Sequence, residues 1–288
     1  MVDRSGRITA TKERLDKLVT ERRLVRSRSR AQRAIMAGQV RVEGHTIYRP
    51  GHMIDREATI ELMFNEPYVS RGGVKLAAAL IGFKVDPTGK VCLDIGASTG
   101  GFTDCLIQRG AERVHSVDVG KGQLDWQLRH DPRVVVREGI NARYLTFEDI
   151  SEQVDLVTID VSFISLCLIL PPLHELVKSD GELITLVKPQ FEAGRSEVRR
   201  GGVVKDPAVH LDVLEKLRSF IDEKTPWGVA SAICSPLIGP AGNMEFFFYL
   251  RNKNKPSAPI DLDALVERAH SDLERKKVIP STDSDQPS

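Results

Sequence analysis

Residues 91–102 read Val91-Cys92-Leu93-Asp94-Ile95-Gly96-Ala97-Ser98-Thr99-Gly100-Gly101-Phe102. Val91 to Asp94 form a short, mostly apolar run that predicts a buried strand. The run ends on a carboxylate. A Gly-x-Ser-Thr-Gly-Gly turn follows one residue later, with helix-forming residues from Asp104 onward. Glycine tolerates φ > 0 and lets a ligand approach the backbone, so Gly96, Gly100 and Gly101 read as a ligand-cradling turn. About twenty residues beyond, Val114-His115-Ser116-Val117-Asp118 is a second strand ending in an acid, a spacing that suits a carboxylate gripping ribose hydroxyls. The loop is not Gly-x-Gly-x-x-Gly and no Lys-Ser/Thr follows it, which argues against dinucleotide and P-loop readings. The pattern fits a cofactor with a ribose but no pyrophosphate, and S-adenosylmethionine (SAM) fits it best.

Downstream the pattern alternates in the manner of a doubly wound sheet. Helix 104–109 precedes strand 113–119, and helix 123–129 precedes strand 134–137. Strand 154–160 leads to a helix-like run over 166–178, and strand 182–187 ends in Lys188-Pro189. A helix over 207–224 carries Val213, Leu214, Leu217, Phe220 and Ile221 on its apolar side, and strands 229–234 and 245–250 close the pattern. The expected fold is α/β: a seven-stranded Rossmann-like sheet of the SAM-dependent methyltransferase kind, spanning 70–255. Residues 256–279 are expected to add a C-terminal helix through Leu262, Leu265, Val266, Ala269 and Leu273, and 280–288 a disordered tail.

Ahead of the sheet lies a different composition. Residues 1–60 hold fourteen Lys/Arg against seven Asp/Glu, while the remainder holds 27 against 33. A basic arm on a mildly acidic body points to a polyanionic partner met at the N-terminus. Leu15, Leu18 and Val19 predict a helix from Lys12 capped by Thr11. Ser27 or Ser29 caps a second helix ending at Gly38, and a Glu43-Gly44 hairpin and a strand through Ile60–Leu62 follow. Six arginines, Arg22, Arg23, Arg26, Arg28, Arg30 and Arg33, fall within twelve residues at the junction of the two helices. A charge run is ordinarily a solvated helix face. Here only Glu21 stands near, and a helix start adds its own attraction for phosphate, so nucleic-acid binding is the better reading.

RLDKLV, SRSRAQRAIMAGQVRVEGH and the Pro50-Gly51 turn together resemble the αL RNA-binding module of the ribosomal-protein S-four kind, over roughly 12–62. The resemblance implies a small α+β RNA-binding domain over 1–63 and adds Arg14 to the RNA-binding arginines; residues 64–69 read as a linker, because Pro67 disfavours helix before it and interrupts pairing.

Totals narrow the classes further. The 288 residues allow one good-sized core and a small companion domain. Cys92, Cys105, Cys167 and Cys234 are scattered without a C-x-x-C pair, so neither a metal site nor a disulfide framework is signalled. The longest mainly apolar run, Val161 to Leu173, is broken by serines and prolines and is too short to span a bilayer. A cytoplasmic protein without a membrane partner is expected.

In open α/β sheets ligands bind outside the carboxyl ends of the strands. That edge receives Asp94, Asp118, Asn141, Asp160 and Lys188, and also Glu245 if the last strand runs antiparallel. Lys75, in Ser70-Arg71-Gly72-Gly73-Val74-Lys75-Leu76, is either a surface lysine on a helix or a base delivered to the pocket's edge. Two lysines and two carboxylates converging there are more expected of a site than of a core.

SRGGVKL, LDIGASTGGF, DLVTIDVSF, ITLVKPQFEAG and GNMEFFFYL, in that order after an αL module, resemble the TlyA-type, haemolysin-named family of rRNA 2′-O-methyltransferases. Its catalytic domain is of the FtsJ (RrmJ) kind, and its Lys-Asp-Lys-Glu tetrad falls on Lys75, Asp160, Lys188 and Glu245. The pattern departs at Val74, where the family often has His. The resemblance implies transfer of a methyl group from SAM to cytidine ribose in 16S or 23S rRNA of 30S or 50S subunits, with no metal. In that reading Gly96, Ser98, Thr99, Gly100 and Phe102 surround the methionine end of SAM, Asp118 holds its ribose, and Asn141 and Asp160 lie toward adenine and sulfonium. Asp94 meets the amino group directly or through water, and Ser98 and Thr99 have helix capping as the alternative role. Lys188 is the group expected nearest the ribose hydroxyl, and Arg71 joins the RNA-binding set.

Three rival readings fit the motifs less well. A non-catalytic ribosome-assembly factor has no reason to keep the loop, Asp118 and four tetrad positions together. A direct haemolysin lacks a long apolar helix or a series of alternating barrel strands. A pseudouridine synthase needs a catalytic-Asp domain after the αL module. The motifs carry no signal for the oligomeric state.

Overall fold

The computed structural model describes residues 11–25, 27–63, 67–194, 197–198, 201–255 and 259–278. Arg26, residues 64–66 of the expected linker and the 280–288 tail lie outside them. The chain divides into two compact units, Met1–Pro67 and Tyr68–Ser288.

In the first unit, strand β1 (Lys12–Arg14) runs into helix α1 (Leu15–Glu21), and α2 (Arg28–Met36) follows. Then come strands β2 (Val40–Val42), β3 (His45–Thr46), β4 (Met53–Asp55) and β5 (Ile60–Leu62). Helical spacing predicts helix from Lys12, but Lys12–Arg14 pair antiparallel with Met53–Asp55 instead. The helix opens at Leu15 because the amides of Leu15 and Asp16 find the carbonyls of His52 and Pro50, at 2.8 and 2.9 Å. Those bonds satisfy two of the first-turn donors, and the N-cap position falls on Arg14 rather than on the expected Thr11. Ser27, not Ser29, caps α2, its Oγ accepting from the Arg30 amide. Leu15, Leu18 and Val19 of α1 pack on Ala31, Ala34 and Ile35 of α2 and on Val40, Val42, Ile54 and Ile60 from the strands.

The second unit opens with α3 (Arg71–Phe83), β6 (Val91–Ile95), α4 (Gly101–Gln108) and β7 (Arg113–Asp118). It continues through α5 (Trp126–Arg129), β8 (Val134–Glu138), α6 (Phe147–Ile150), β9 (Val154–Ile159) and α7 (Leu166–Ile169). It ends with β10 (Val177–Val187), α8 (Pro189–Glu192), α9 (Pro207–Lys224), β11 (Trp227–Cys234), β12 (Phe246–Asn252) and α10 (Leu262–Val278). Two expected helices shorten. The segment before α5 gives way at Asp125, whose carboxylate caps Gln127. The run expected to be helical to Lys178 stops after α7, where Pro171 and Pro172 cannot donate to the preceding turn; a 3-10 turn carries the chain to β10.

The seven strands form one sheet in the order β11-β12-β10-β9-β6-β7-β8. The pairs from β10 to β8 are parallel, and β12 is antiparallel to both of its neighbours. Alternation along each strand feeds two cores. Leu93, Ile95, Val157, Ile159, Phe246 and Phe248 face the core shared with α7, α9 and α10. Cys92, Leu156, Ile184, Leu186, Phe247 and Tyr249 face the one shared with α3 and α4. Burial on both faces explains why these strands read as continuous apolar runs. It also leaves the carboxyl edge as the place where polar side chains gather.

Candidate functional site

Four strand ends and one helix assemble the candidate site. Val187 of β10 pairs with Phe246 of β12, so the next residues outward, Lys188 and Glu245, both stand at that edge of the sheet. The antiparallel turn of β12 thus delivers a residue that precedes its strand to the edge where the parallel strands end. Lys75, one turn into α3, forms an ion pair and hydrogen bond with Glu245 Oε2. Lys188 Nζ lies 2.7 Å from Asp160 Oδ1 and donates to Ser162 Oγ at 2.9 Å. Its approach to Asp160 is off the hydrogen-bond axis, so buried Asp160 Oδ1 is paired by charge yet has no aligned donor. The two pairs differ in access. The side chains of Lys75 and Glu245 are 9% and 2% exposed, against 12% and 23% for Lys188 and Asp160.

Beside this tetrad lies the glycine turn. Gly96 has φ +83°, and a Cβ there would stand 2.4 Å from the Asp160 carbonyl oxygen. Only glycine allows both the backbone conformation and this approach between the ends of β6 and β9. Gly101 starts α4, where a Cβ would stand 2.2 Å from Ser70 Oγ and 3.0 Å from the Gly73 amide nitrogen. The glycines of the two motifs therefore let the ends of α3 and α4 meet.

Asp118, at the end of β7, accepts from the Ser98 amide on Oδ2 and the Gly120 amide on Oδ1, both at 2.7 Å. One lone pair on each oxygen remains for a further donor. Ser98 and Thr99 are exposed, and neither caps α4, whose N-cap is Gly100 with no side-chain bond. Ser98 Oγ instead donates to Gln123 Oε1 at 3.4 Å. Asn141 is exposed after β8 and caps a short 3-10 turn by accepting from the Arg143 amide.

Two of the expected site residues have inward-facing side chains. Asp94 is fully buried, accepting from Thr103 Oγ1 at 2.7 Å and Thr158 Oγ1 at 3.0 Å. It fastens α4 to the sheet through these two threonines. Burial pushes its carboxyl up to about 7 against the pull of the two threonine hydroxyls. The Phe102 ring is also turned inward, 6.2 Å from that of Phe247, so only its backbone can face a ligand.

Sequence reasoning passed over Ser162, Gln123 and Phe163. Phe163 is 90% exposed at φ +63°, its ring 4.9 Å from Phe191. The Val161-Ser162-Phe163 segment after β9 was the available signal, since an apolar strand followed by an exposed aromatic beside a charged pair is unusual.

In the N-terminal unit the arginines divide by role. Asp16 is fully buried, accepting from Arg14 Nε and Nη2 at 3.0 and 2.9 Å, from Gln32 at 2.9 Å and from Arg28 at 3.2 Å. Arg14 foremost, with Gln32 and Arg28, holds its carboxyl far below the ordinary range despite burial. Arg22 reaches the carbonyls of Ala58 and Arg56. Arg23, Arg28 and Arg33 are exposed and Arg30 half-buried, and the exposed Arg41 and Arg49 add cations outside the 22–33 cluster. In the second unit Arg71 is exposed and donates to the Ile238 carbonyl at 2.8 Å. No helix among the described residues is long and apolar enough to cross a membrane.

Comparison with known proteins agrees with this architecture. The FtsJ-like methyltransferase family matches residues 68–252, and the S4 domain matches 13–60. YqxC of Bacillus subtilis (strain 168), which carries an rRNA methyltransferase name, is 45% identical, covering 94% of this chain and 98% of its own. The 16S/23S rRNA (cytidine-2'-O)-methyltransferase TlyA of Mycobacterium tuberculosis (strain ATCC 25618 / H37Rv) is 43% identical over 91% of this chain and 99% of its own. A solved structure of a hemolysin-named protein from Streptococcus thermophilus superposes with a TM-score of 0.73 at 39% identity, covering 94% of this chain and all of that one. With an N-terminal S4 domain ahead of a methyltransferase sheet, the chain belongs to the TlyA-type family of FtsJ-like methyltransferases.

Proposed function

We propose that this protein methylates the 2′-hydroxyl of a ribose in rRNA, using SAM, with cytidines of 16S or 23S rRNA as the target class. The observation that carries the reading is the pairing of Lys75 with Glu245 and Lys188 with Asp160 at one sheet edge beside the glycine turn. The target class comes from what the TlyA relative is named for.

The residues present fit SAM. The Gly96 turn opens backbone to a ligand, and the free lone pairs of Asp118 suit ribose hydroxyls. Gly96, Ser98, Thr99, Gly100 and the Phe102 backbone would hold the methionine end, with Asn141 and Asp160 toward adenine and sulfonium. Asp94 would act only through the loop it supports. When bound, SAM supplies a strongly electrophilic methyl group.

A ribose hydroxyl is a poor nucleophile while it keeps its proton, so the protein must orient that oxygen and take or share the proton. Lys188 is the lysine placed to do this, because its pair is the more open of the two. Asp160 and Ser162 fix its Nζ, while the enclosed Lys75–Glu245 pair supplies a fixed field from behind. The exposed Phe163 ring at the mouth offers a stacking face for a splayed nucleobase. RNA affinity comes chiefly from the arginines of the N-terminal unit.

The test is label transfer from SAM to ribosomal subunits of a strain lacking the enzyme. Wild type is expected to leave methyl on ribose, whereas binding of SAM and RNA without transfer would support the assembly-factor reading.

A further inference from the structure

Asp160 and Lys188 stand just past the ends of adjacent parallel strands, where the backbone ladder no longer holds the chain. The last registered pair between β9 and β10 is Ile159 with Thr185. Beyond it, three side-chain contacts cross from the segment after β9 to the segment after β10. One is the Lys188 contact with Asp160 and Ser162 itself. Another is the Phe163–Phe191 ring contact, which is open to solvent on the Phe163 side. The third is Glu192. Its Oε2 accepts from Ser165 Oγ at 2.6 Å and its Oε1 from the Leu166 amide at 2.8 Å.

We propose that Glu192 is a positioning residue for methyl transfer, pinning the 161–166 segment to α8 so that Asp160 and Ser162 stay in register with Lys188. This inference rests on the tetrad reading given above. Both oxygens of one side chain are committed to two consecutive residues, which fixes the segment's direction as well as its distance. Ser165 in turn caps α7, its Oγ accepting from the Cys167 amide at 3.1 Å, so the clamp reaches a regular element.

Strain supplies the need for such a clamp. Phe163 has φ +63°, a left-handed conformation rarely taken by aromatic residues. Backbone strain of this kind persists only where the surroundings over-determine it. On one side the segment is held by the Asp160 amide donating to the Ile95 carbonyl at 2.9 Å. On the other it is held by Glu192. Releasing the second anchor lets 161–165 relax toward an ordinary backbone, carrying Ser162 away from Lys188 and shifting Asp160. Glu192 itself touches neither the glycine turn nor Asp118, so cofactor affinity, reached only through the shift of Asp160, falls less than the rate.

The experiment measures steady-state and single-turnover methyl transfer to 30S and 50S subunits, with separate binding isotherms for SAM and subunits. It uses wild type, Glu192→Ala, Glu192→Gln, Ser165→Ala and Lys188→Ala. Glu192→Ala is expected to lower kcat by about 10²-fold, the scale of a misplacement near 1 Å, with KM for SAM and subunits changed by less than about threefold. Glu192→Gln keeps an oxygen for the Leu166 amide and an amide group that can donate to Ser165, so it should recover most of the rate. Ser165→Ala removes one arm and should fall between. If Glu192→Ala fails to fold, Glu192→Gln and Ser165→Ala decide the matter by the same split between kcat and KM. The inference is overturned if Glu192→Ala keeps kcat within twofold of wild type, or if every variant loses affinity and rate in proportion. A fully active Lys188→Ala would overturn the tetrad reading itself. Inactive Lys188→Ala beside wild-type rates in Glu192→Ala would remove only the clamp.

Discussion

At the scale of single residues, the candidate site holds two ion pairs of unequal access. Lys188→Ala should abolish transfer while SAM still binds, as measured by label incorporation beside an equilibrium binding assay. Gly96→Ala should act in the opposite order. A Cβ 2.4 Å from the Asp160 carbonyl, on a backbone at φ +83°, must open the turn, so SAM affinity falls at least about tenfold and rate falls with it. Binding calorimetry separates the two variants. These positions were legible in the sequence because glycine at a strand end and acids at strand termini have few other uses. Asp94 was legible as a residue and illegible as a contact. That it faces Thr103 and Thr158 depends on where α4 packs, which the strand alone does not specify. Glu192 gave no local signal, since its partners are 26 and 27 residues away.

Elements are tied together by buried carboxylates used in contrasting ways. Asp94 fastens α4 to β6 and β9, and its carboxyl is raised to about 7 by burial. The folded state therefore binds that proton more tightly than the unfolded chain, and this contribution to stability declines as pH climbs from about 4 through about 7. Asp94→Asn, which keeps an acceptor for a threonine hydroxyl, should flatten that decline and raise Tm at pH 8 by a few degrees, at about 2–4 °C per kcal/mol. Thermal unfolding across pH 5 to 8 checks it, and an unchanged slope would count against the assignment. Asp16 in the N-terminal unit is the converse case, held ionised by Arg14, Gln32 and Arg28. Asp16→Ala should destabilise that unit by about 1–3 kcal/mol and weaken RNA binding through the loss of a fixed Arg28. Urea unfolding and subunit binding read the two effects. Amphipathic spacing announced α1 and α2, but it could not show that Lys12–Arg14 would pair with β4, a partner forty residues away in sequence.

For the whole molecule, the division into a basic S4 unit and a methyltransferase unit was the most legible feature, because charge asymmetry survives any detail of folding. The doubly wound order was readable for the same reason: strands buried on both faces leave long apolar signals, and the helices between them leave gaps of the right length. Less readable were the short helices after β7 and β9, where proline and capping acids cut a periodic pattern short. If the first unit supplies the phosphate contacts, Arg23→Gln with Arg33→Gln should weaken subunit binding and reduce the slope of log affinity against log salt by roughly 1 to 2. SAM affinity should not move. The measurement that bears most directly on the central claim is transfer of tritiated methyl from SAM to purified 30S and 50S subunits lacking the modification, wild type beside Lys188→Ala. The account predicts alkali-resistant ribose label from wild type and none from Lys188→Ala. Transfer by both proteins, or by neither to subunits and free rRNA despite SAM binding, would contradict it.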